Sequence, residues 1–349
     1  MPDSPFVSII MPVRNEAGFI RRSMGAVLAQ DYPLDRMELI IADGLSNDGT
    51  REVVNALRLQ NPSVRLLDNP GLIVSTGLNA ALRVAKGEII VRVDGHCEIA
   101  TDYVRHCVSH LTDDEVDCVG GPLETVGETY TARGIAAAMS STFGVGDSAF
   151  RVGAKAARFV DTVAFPGYRR ETIQRAGPFD EELVRNQDDE YNYRVRKLGG
   201  RILLAPEIQS RYYSRASLRK LWKQYFQYGY WKVRVLQKHS RQMSARQFVP
   251  ALFVIALFAS LLTAPFSVPG KILLETILLA YLGLNLGASI LAARRTEWKV
   301  LPLVPIAFTI IHLAYGSGFL LGLAKFWNRW GDHNTRASQS PLVRNAARL

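Results

Sequence analysis

Apolar positions fall into two regimes along the chain. Up to about residue 210, short β-branched runs alternate with stretches in which apolar residues recur every three or four positions. "FVSIIMPV" (6–13) reads as a strand and 17–30 as an amphipathic helix. "MELIIA" (37–42) predicts a second strand, followed by a helix over roughly 50–60. "VRLL" (64–67) predicts a third, with a helix over about 74–86, and "EIIVRV" (88–93) a fourth. Such alternation implies an α/β domain with a mostly parallel central sheet covered on both faces.

The second regime is nearly continuous apolar sequence. "FVPALFVIALFASLLTAPFSV" (248–268), "ILLETILLAYLGLNLGASILAA" (272–293) and "LPLVPIAFTIIHLAYGSGFLLGLA" (301–324) are each long enough to cross a hydrocarbon core of about 30 Å. Buried helices of a soluble bundle are the alternative, and the uninterrupted, consecutive runs favour membrane spans.

Residues 211–246 join the regimes and carry ten Lys/Arg with no Asp or Glu. Leu218, Leu221, Trp222, Tyr225, Phe226, Gly229, Val233 and Leu236 fall at helical spacing. This describes a basic amphipathic helix in the membrane interface, its cations at anionic headgroups. The same pattern suits nucleic acid, but the apolar runs immediately downstream favour lipid. Basic juxtamembrane segments mark the cytoplasmic side. The expected organisation is a cytoplasmic soluble domain (1–210), an interface segment (211–246), a membrane domain (247–325) and a basic tail (326–349). Three full crossings place the tail, with Lys325, Arg329, Arg336, Arg344 and Arg348, on the wrong side for its charge. One apolar run is therefore re-entrant or interfacial, or the charge rule is broken.

The net charge of +10 favours an anionic partner. The cysteines, Cys97, Cys107 and Cys118, form no C-x-x-C pair, which fits a reducing compartment. With His96, His106 and His110 they match no standard zinc spacing. No G-x-G-x-x-G follows the first strand and no P-loop occurs, so neither a dinucleotide site nor a Walker-type site is supported.

In an open α/β sheet, ligands bind beyond the carboxyl ends of the strands. Three polar clusters fall there: "PVRNEA", with Asn15 and Glu16; "ADGLSNDGT", with Asp43 and Asp48; and "DGH", with Asp94 and His96. Asp48 reads as a turn and helix-capping residue, and Asp43, at the very end of a strand, as a ligand-binding one.

"VSIIMPVRNEAGFI", "LIIADGLSNDGT", "TGLNAALRVAKGEIIVRVDGH" and "FDEELVRNQDDEYNYRVRKLGG" together resemble the family 2 glycosyltransferases of the GT-A fold. The similarity is to membrane-bound members that build bacterial exopolysaccharide repeat units, of the succinoglycan glucosyltransferase type. The resemblance implies that Pro12 and Glu16 line the nucleotide pocket, that Asp43 hydrogen-bonds the base, and that Asp94 opens the family's D-x-D, whose last place His96 takes. It implies Asp188 as general base, with Gln187 where the family's preceding acid stands. "QYGYW" (227–231) resembles the Q-x-x-R-W of processive synthases through Gln227 and Trp231, with Tyr230 in place of the arginine.

The implied chemistry is attack by an acceptor hydroxyl on the anomeric carbon of a nucleotide sugar as a nucleoside diphosphate leaves. A divalent cation offsets the growing charge on the diphosphate. Asp94 supplies an oxygen ligand, and a neutral His96 nitrogen suits Mn²⁺ better than Mg²⁺. Alternatively His96 contacts the sugar or phosphate while Asp94 and water hold the ion. Among Asp188, Asp189 and Glu190, the motif selects Asp188 as the proton acceptor, and a one-step displacement inverts the anomeric centre. Residues 163–183 are expected to form the acceptor wall, with Gly167 allowing close approach and Arg169 or Arg170 meeting a phosphate. The expected reaction moves one sugar, glucose from a UDP-sugar, to a polyprenyl-diphosphate-linked saccharide. A polyprenyl-phosphate sugar transferase, a processive synthase and an inert membrane scaffold are the alternatives.

Overall fold

The computed structural model describes residues 4–146, 148–153, 156–214 and 216–332. Arg215, Arg336, Arg344 and Arg348 of the basic segments lie outside them. Two compact units divide the chain: residues up to 124 with 153–212, and residues 125–152 with 213–332.

The first unit is built on eleven strands, the last residues of β7 and β11 passing into the second unit. They are β1 (Val7–Val13), β2 (Met37–Asp43), β3 (Val64–Asp68), β4 (Ile89–Arg92), β5 (Cys97–Ile99), β6 (Cys118–Gly121), β7 (Leu123–Val126), β8 (Arg158–Phe159), β9 (Ala164–Arg169), β10 (Ile202–Leu204) and β11 (Ser210–Tyr213). Eight form the main sheet in the order β3-β2-β1-β4-β9-β6-β10-β8. The β3-β2-β1-β4 half is parallel throughout, and the antiparallel β9 joins it to the parallel β6–β10 pair. A small sheet takes the order β5-β11-β7. β1, β2 and β4 are buried at every position, as central strands covered on both faces must be. Their bounds lie within a residue or two of those read from sequence. Helices Ile20–Leu28, Thr50–Gln60 and Val74–Val84 likewise match the periodic stretches.

With β1 between β2 and β4, the loops after all three strands open at the same edge. These loops are sewn together by side chains. Asn15 N–H donates to Ser46 Oγ (2.9 Å), Glu16 N–H to Thr50 Oγ1 (2.8 Å) and Ala17 N–H to Asp48 Oδ2 (3.1 Å). Gly95 closes the third loop onto the first. A Cβ there would lie 2.9 Å from Val13 Cγ1 and 3.2 Å from Glu16 Cγ, so a glycine is needed for the approach.

The second unit holds helices Leu218–Lys238, Val249–Thr263, Val268–Arg295 and Val304–Lys325. Three of these are long and apolar enough to cross a membrane. Residues 125–152, which fall within the 1–210 stretch read from sequence as one domain, group with these helices. The reason is visible in their contacts. Tyr130 donates to the Lys299 carbonyl (2.9 Å), Arg133 pairs with Glu297 (3.0 Å), and His312 Nε2 meets the Phe143 carbonyl (2.8 Å).

Leu218–Lys238 also departs from its sequence reading. Rather than all its cations facing outward, Lys232, Arg234 and Lys238 are buried, and Arg234 is fully enclosed. The helix packs along Val304–Lys325 through glycines. A Cβ on Gly318 would fall 2.0 Å from the Phe226 carbonyl oxygen, and one on Gly322 2.6 Å from that of Tyr230. Further on, Gln237 donates to the Phe326 carbonyl (2.7 Å), while Arg234 reaches the Arg329 carbonyl and Asp332, each at 3.3 Å. Numbers climb together on both helices, so they run parallel.

Candidate active site

The strand-end loops bring together side chains distant in sequence. Asp94 follows β4 and is one-fifth exposed. Its carboxylate takes the fork of Arg92, with Nε at 3.1 Å and Nη2 at 3.0 Å from Oδ1, and Nη2 at 3.3 Å from Oδ2. The other Arg92 nitrogen, Nη1, lies 3.2 Å from Asp188 Oδ2. Asp188 is in the first turn of helix Gln187–Lys197, and its side chain is 42% exposed. Arg92 itself is 4% exposed. Desolvation works against its charge, but Asp94 and then Asp188 outweigh that penalty and hold the guanidinium above its ordinary range. One buried cation thus ties the D-x-H turn to the acidic helix start. Sequence reasoning missed Arg92, although an arginine interrupting a central apolar strand was a visible signal.

His96 turns its Nδ1 to Glu16 Oε1 at 3.0 Å and its ring edge to Tyr212, with centroids 5.2 Å apart. A carboxylate on Nδ1 selects the tautomer that leaves Nε2 with a free lone pair, as in metal-binding histidines. Among the described residues no three His, Cys, Asp or Glu side chains gather into a cation site by themselves.

The three consecutive acids separate clearly. Glu190 has no exposed surface, and both its oxygens are bound by Arg194, at 2.6 and 2.9 Å. Asp188 is tied to the Asp94 side of the site through Arg92. Gln187 is 5% exposed, and its Oε1 is buried without a hydrogen-bond partner.

Pro12, Asp43 and Asp48 sit on β1, β2 and the loop after β2, respectively. Asp43 sits at the expected strand end, beside Val13 of β1, but is completely enclosed. Its oxygens accept from Ser46 N (3.1 Å), Ser46 Oγ (2.5 Å) and Arg51 Nη1 (2.8 Å), so it organises the loop that follows β2. Asp48 accepts from the Thr50 amide and hydroxyl, the turn role read for it. Pro12 is buried in β1, where a Cβ on Gly77 would meet it at 3.2 Å.

Gly167 and Arg169, read from sequence as part of the acceptor wall, lie on β9, and Arg170 opens the helix that follows it. β9 runs antiparallel to β4, pairing Gly167 with Val91 and Arg169 with Ile89. Both arginines therefore lie at the start of β4, about 16 Å of strand away from Asp94. Arg170 donates to the carbonyls of Gly87 (2.6 Å) and Ala85 (2.8 Å), and Arg169 pairs with Asp114 (3.3 Å). Gly167 lies in mid-sheet against Cys107 and Leu111, where its missing Cβ lets a helix approach. Gln227 and Trp231 belong to the second unit, Trp231 packing on Phe326 with ring centroids 5.7 Å apart. The three cysteines are buried and free, and burial raises each thiol, so they are inert packing groups.

The mixed sheet, with its ligand edge beyond β1, β2 and β4 and apolar helices following, is the architecture of a GT-A glycosyltransferase. The mannosyltransferase PcManGT from Pyrobaculum calidifontis, solved in complex with GDP-Man and Mn²⁺, shares it. That structure superposes with a TM-score of 0.57 at 22% identity, covering 92% of this chain and 88% of that one. The chain belongs to glycosyl transferase family 2, whose signature matches residues 8–171. Succinoglycan biosynthesis protein ExoA of Rhizobium meliloti (strain 1021) is 31% identical over 92% of this chain and 96% of its own length. A Methanococcus voltae relative is 26% identical over 92% of this chain and 98% of its own. It is named dolichyl N-acetyl-alpha-D-glucosaminyl phosphate 3-beta-D-2,3-diacetamido-2,3-dideoxy-beta-D-glucuronosyltransferase.

Proposed function

We propose that this glycosyltransferase inverts the anomeric centre while moving one sugar from a UDP-sugar, glucose by preference, to a polyprenyl-diphosphate-linked saccharide in exopolysaccharide assembly. The observation carrying this reading is the meeting of Asp94 and Asp188 on one guanidinium, which sets a donor-binding turn beside a half-exposed carboxylate. Asp188 accepts the proton of the attacking hydroxyl. Asp94 and His96 hold Mn²⁺ or Mg²⁺, which supplies charge stabilisation for the departing diphosphate. Glu16 orients His96. Asp43 and Asp48 shape the loop beside the nucleotide, next to Pro12. Gln187 presents its unpaired carbonyl on the acceptor side.

The lipid-linked acceptor draws support from the relatives, one named for succinoglycan biosynthesis and one for transfer to a dolichyl-linked sugar phosphate. Addition of a single sugar is favoured because Tyr230 stands in the arginine place of the processive pattern. Its ring is packed on Phe326, with centroids 4.9 Å apart. A donor screen on the purified chain in detergent tests the proposal. UDP release should require both divalent metal and lipid-linked acceptor, and a product extended by many sugars from one acceptor would refute it.

The second unit supports membrane anchoring with the catalytic domain on the cytoplasmic side. Helix Leu218–Lys238 carries six Lys/Arg. Crossing a bilayer would cost about 2.5–3.5 kcal/mol for each cation near the centre, so this helix does not cross. Val304–Lys325 is bound parallel to it along its glycines, and 44% of its most apolar window is buried, against 11% and 22% for the other two apolar helices. On this reading Val249–Thr263 and Val268–Arg295 form the crossing hairpin. The end of Val304–Lys325 then stays at the cytoplasmic face, where Lys325 and Arg329 obey the charge rule. A C-terminal fluorescent-protein fusion should fluoresce, and an alkaline phosphatase fusion should be inactive. The reverse pattern would exclude this topology.

A further inference from the structure

We infer that Arg92 is the positioning residue that sets the spacing between the donor end of the site and the catalytic carboxylate. The inference rests on the reading of Asp188 as the proton acceptor. Arg92 is the last residue of β4, anchored by its pairing opposite Ile10 in the most buried part of the sheet. Its guanidinium is planar and presents donors in a fixed fork. Nε and Nη2 grip Asp94, and Nη1 reaches Asp188. The two carboxylates come from a strand-end turn and a helix start far apart in the chain. The rigid fork fixes one distance between them.

Transfer needs the attacking oxygen, its proton acceptor and the anomeric carbon aligned to within a fraction of an ångström, and small misplacements cost rate rather than binding. A lysine would keep the buried charge, but its ammonium is a point donor and does not reproduce a fork spanning two carboxylates. Tyr168 on β9 donates to Asn192 of the same acidic helix (2.7 Å), and Asn192 donates to Thr162 (2.8 Å). The helix that carries Asp188 is thus tied to the sheet, through Asn192 in its second turn, by a hydrogen bond independent of Arg92. An effect of Arg92 on catalysis then reads out the carboxylate, not loss of the helix.

The test uses the full chain in detergent with Arg92→Lys, Asp188→Asn and the double variant. Arg92→Lys should lower kcat at least tenfold, leave the donor KM within about threefold, and preserve the heat of UDP binding in the presence of Mn²⁺. In the Asp188→Asn background the same change should cost nothing further, because the carboxylate it positions is gone. Wild-type kcat in Arg92→Lys, or a loss equal in both backgrounds, overturns the inference while leaving the base assignment intact. A fully active Asp188→Asn overturns the base assignment, and this inference with it. Should Arg92→Lys fail to fold, Asp188→Ala serves instead. Removing one arm of the clamp should lower the melting temperature of the ligand-free protein, and an unchanged melting temperature overturns the clamp.

Discussion

The carboxylate of Glu16 lies 3.0 Å from Nδ1 of His96, joining the loop after β1 to the turn after β4. The pair changes what the D-x-H sequence means. On the proposed reading of Asp94 and His96 as metal ligands, a histidine in place of an acid removes one negative charge from the cation site, and a carboxylate behind that histidine returns it one shell out. Removing the carboxylate by Glu16→Ala should raise the Mn²⁺ concentration for half-maximal activity by about 10- to 100-fold. His96→Ala should do so at least as strongly. A Mn²⁺ titration at saturating donor checks both, and unchanged metal dependence would place His96 on the sugar or phosphate instead.

Asp188→Asn should reduce kcat by about 10²- to 10⁴-fold, the usual worth of a positioned base, with donor binding preserved in calorimetry. If the lipid phosphate itself were the nucleophile, the variant would keep much of its rate.

Glu190 should behave oppositely, as a structural acid. Its buried pair with Arg194, at 2.6 Å, leaves an uncompensated charge if one partner goes. Arg194→Ala should cost about 3–5 kcal/mol of stability, visible in thermal unfolding. The donor KM of the protein that remains folded should not change.

The glycines of the C-terminal helices offer a contrast. Gly318→Val places a side chain where a Cβ already falls 2.0 Å from the Phe226 carbonyl oxygen, and Gly283 has nothing within 4 Å. Gly318→Val should destabilise by about 1–3 kcal/mol or more through forced separation of two helices. Gly283→Ala should be neutral or slightly stabilising. Melting temperatures of the two variants in one detergent decide it.

Acid should weaken the loop pairing through Asp48. Partial desolvation pushes its carboxyl up. The hydrogen bonds from Thr50 Oγ1 and the Ala17 and Thr50 amides outweigh this and hold it below its ordinary value. A carboxyl depressed in the folded state adds stability above the unfolded pKa of about 4, and the increment is lost as pH falls through the lower folded value. The stability gap between wild type and Asp48→Asn should be constant above about pH 5, start to narrow near about pH 4, and close only as pH falls past the lower folded value. A gap that persists at acid pH would assign the difference to packing.

The strands and helices up to residue 93 were legible because periodicity follows directly from burial on two faces. The site clusters were legible because strand ends in a parallel sheet share an edge. β9 was not. Its residues read as a wall beside the ligand, yet whether Arg169 and Arg170 fall at the ligand edge or the far one depends on strand direction. Direction is a property of pairing partners, not of local pattern. The same limit hid residues 125–152, whose mixed composition says nothing about which helices they will meet.

What the sequence determined by itself was the local material: β-branched runs, the loops that must carry ligands, and helices apolar enough for lipid. The tertiary structure decided which charges meet. Arg92 finding both Asp94 and Asp188, Glu16 finding His96, and Glu190 being consumed by Arg194 are all outcomes of distance and solvent exclusion. A charge has no periodicity, and its partner is chosen only when the backbone has brought the two within a few ångströms of each other and away from water.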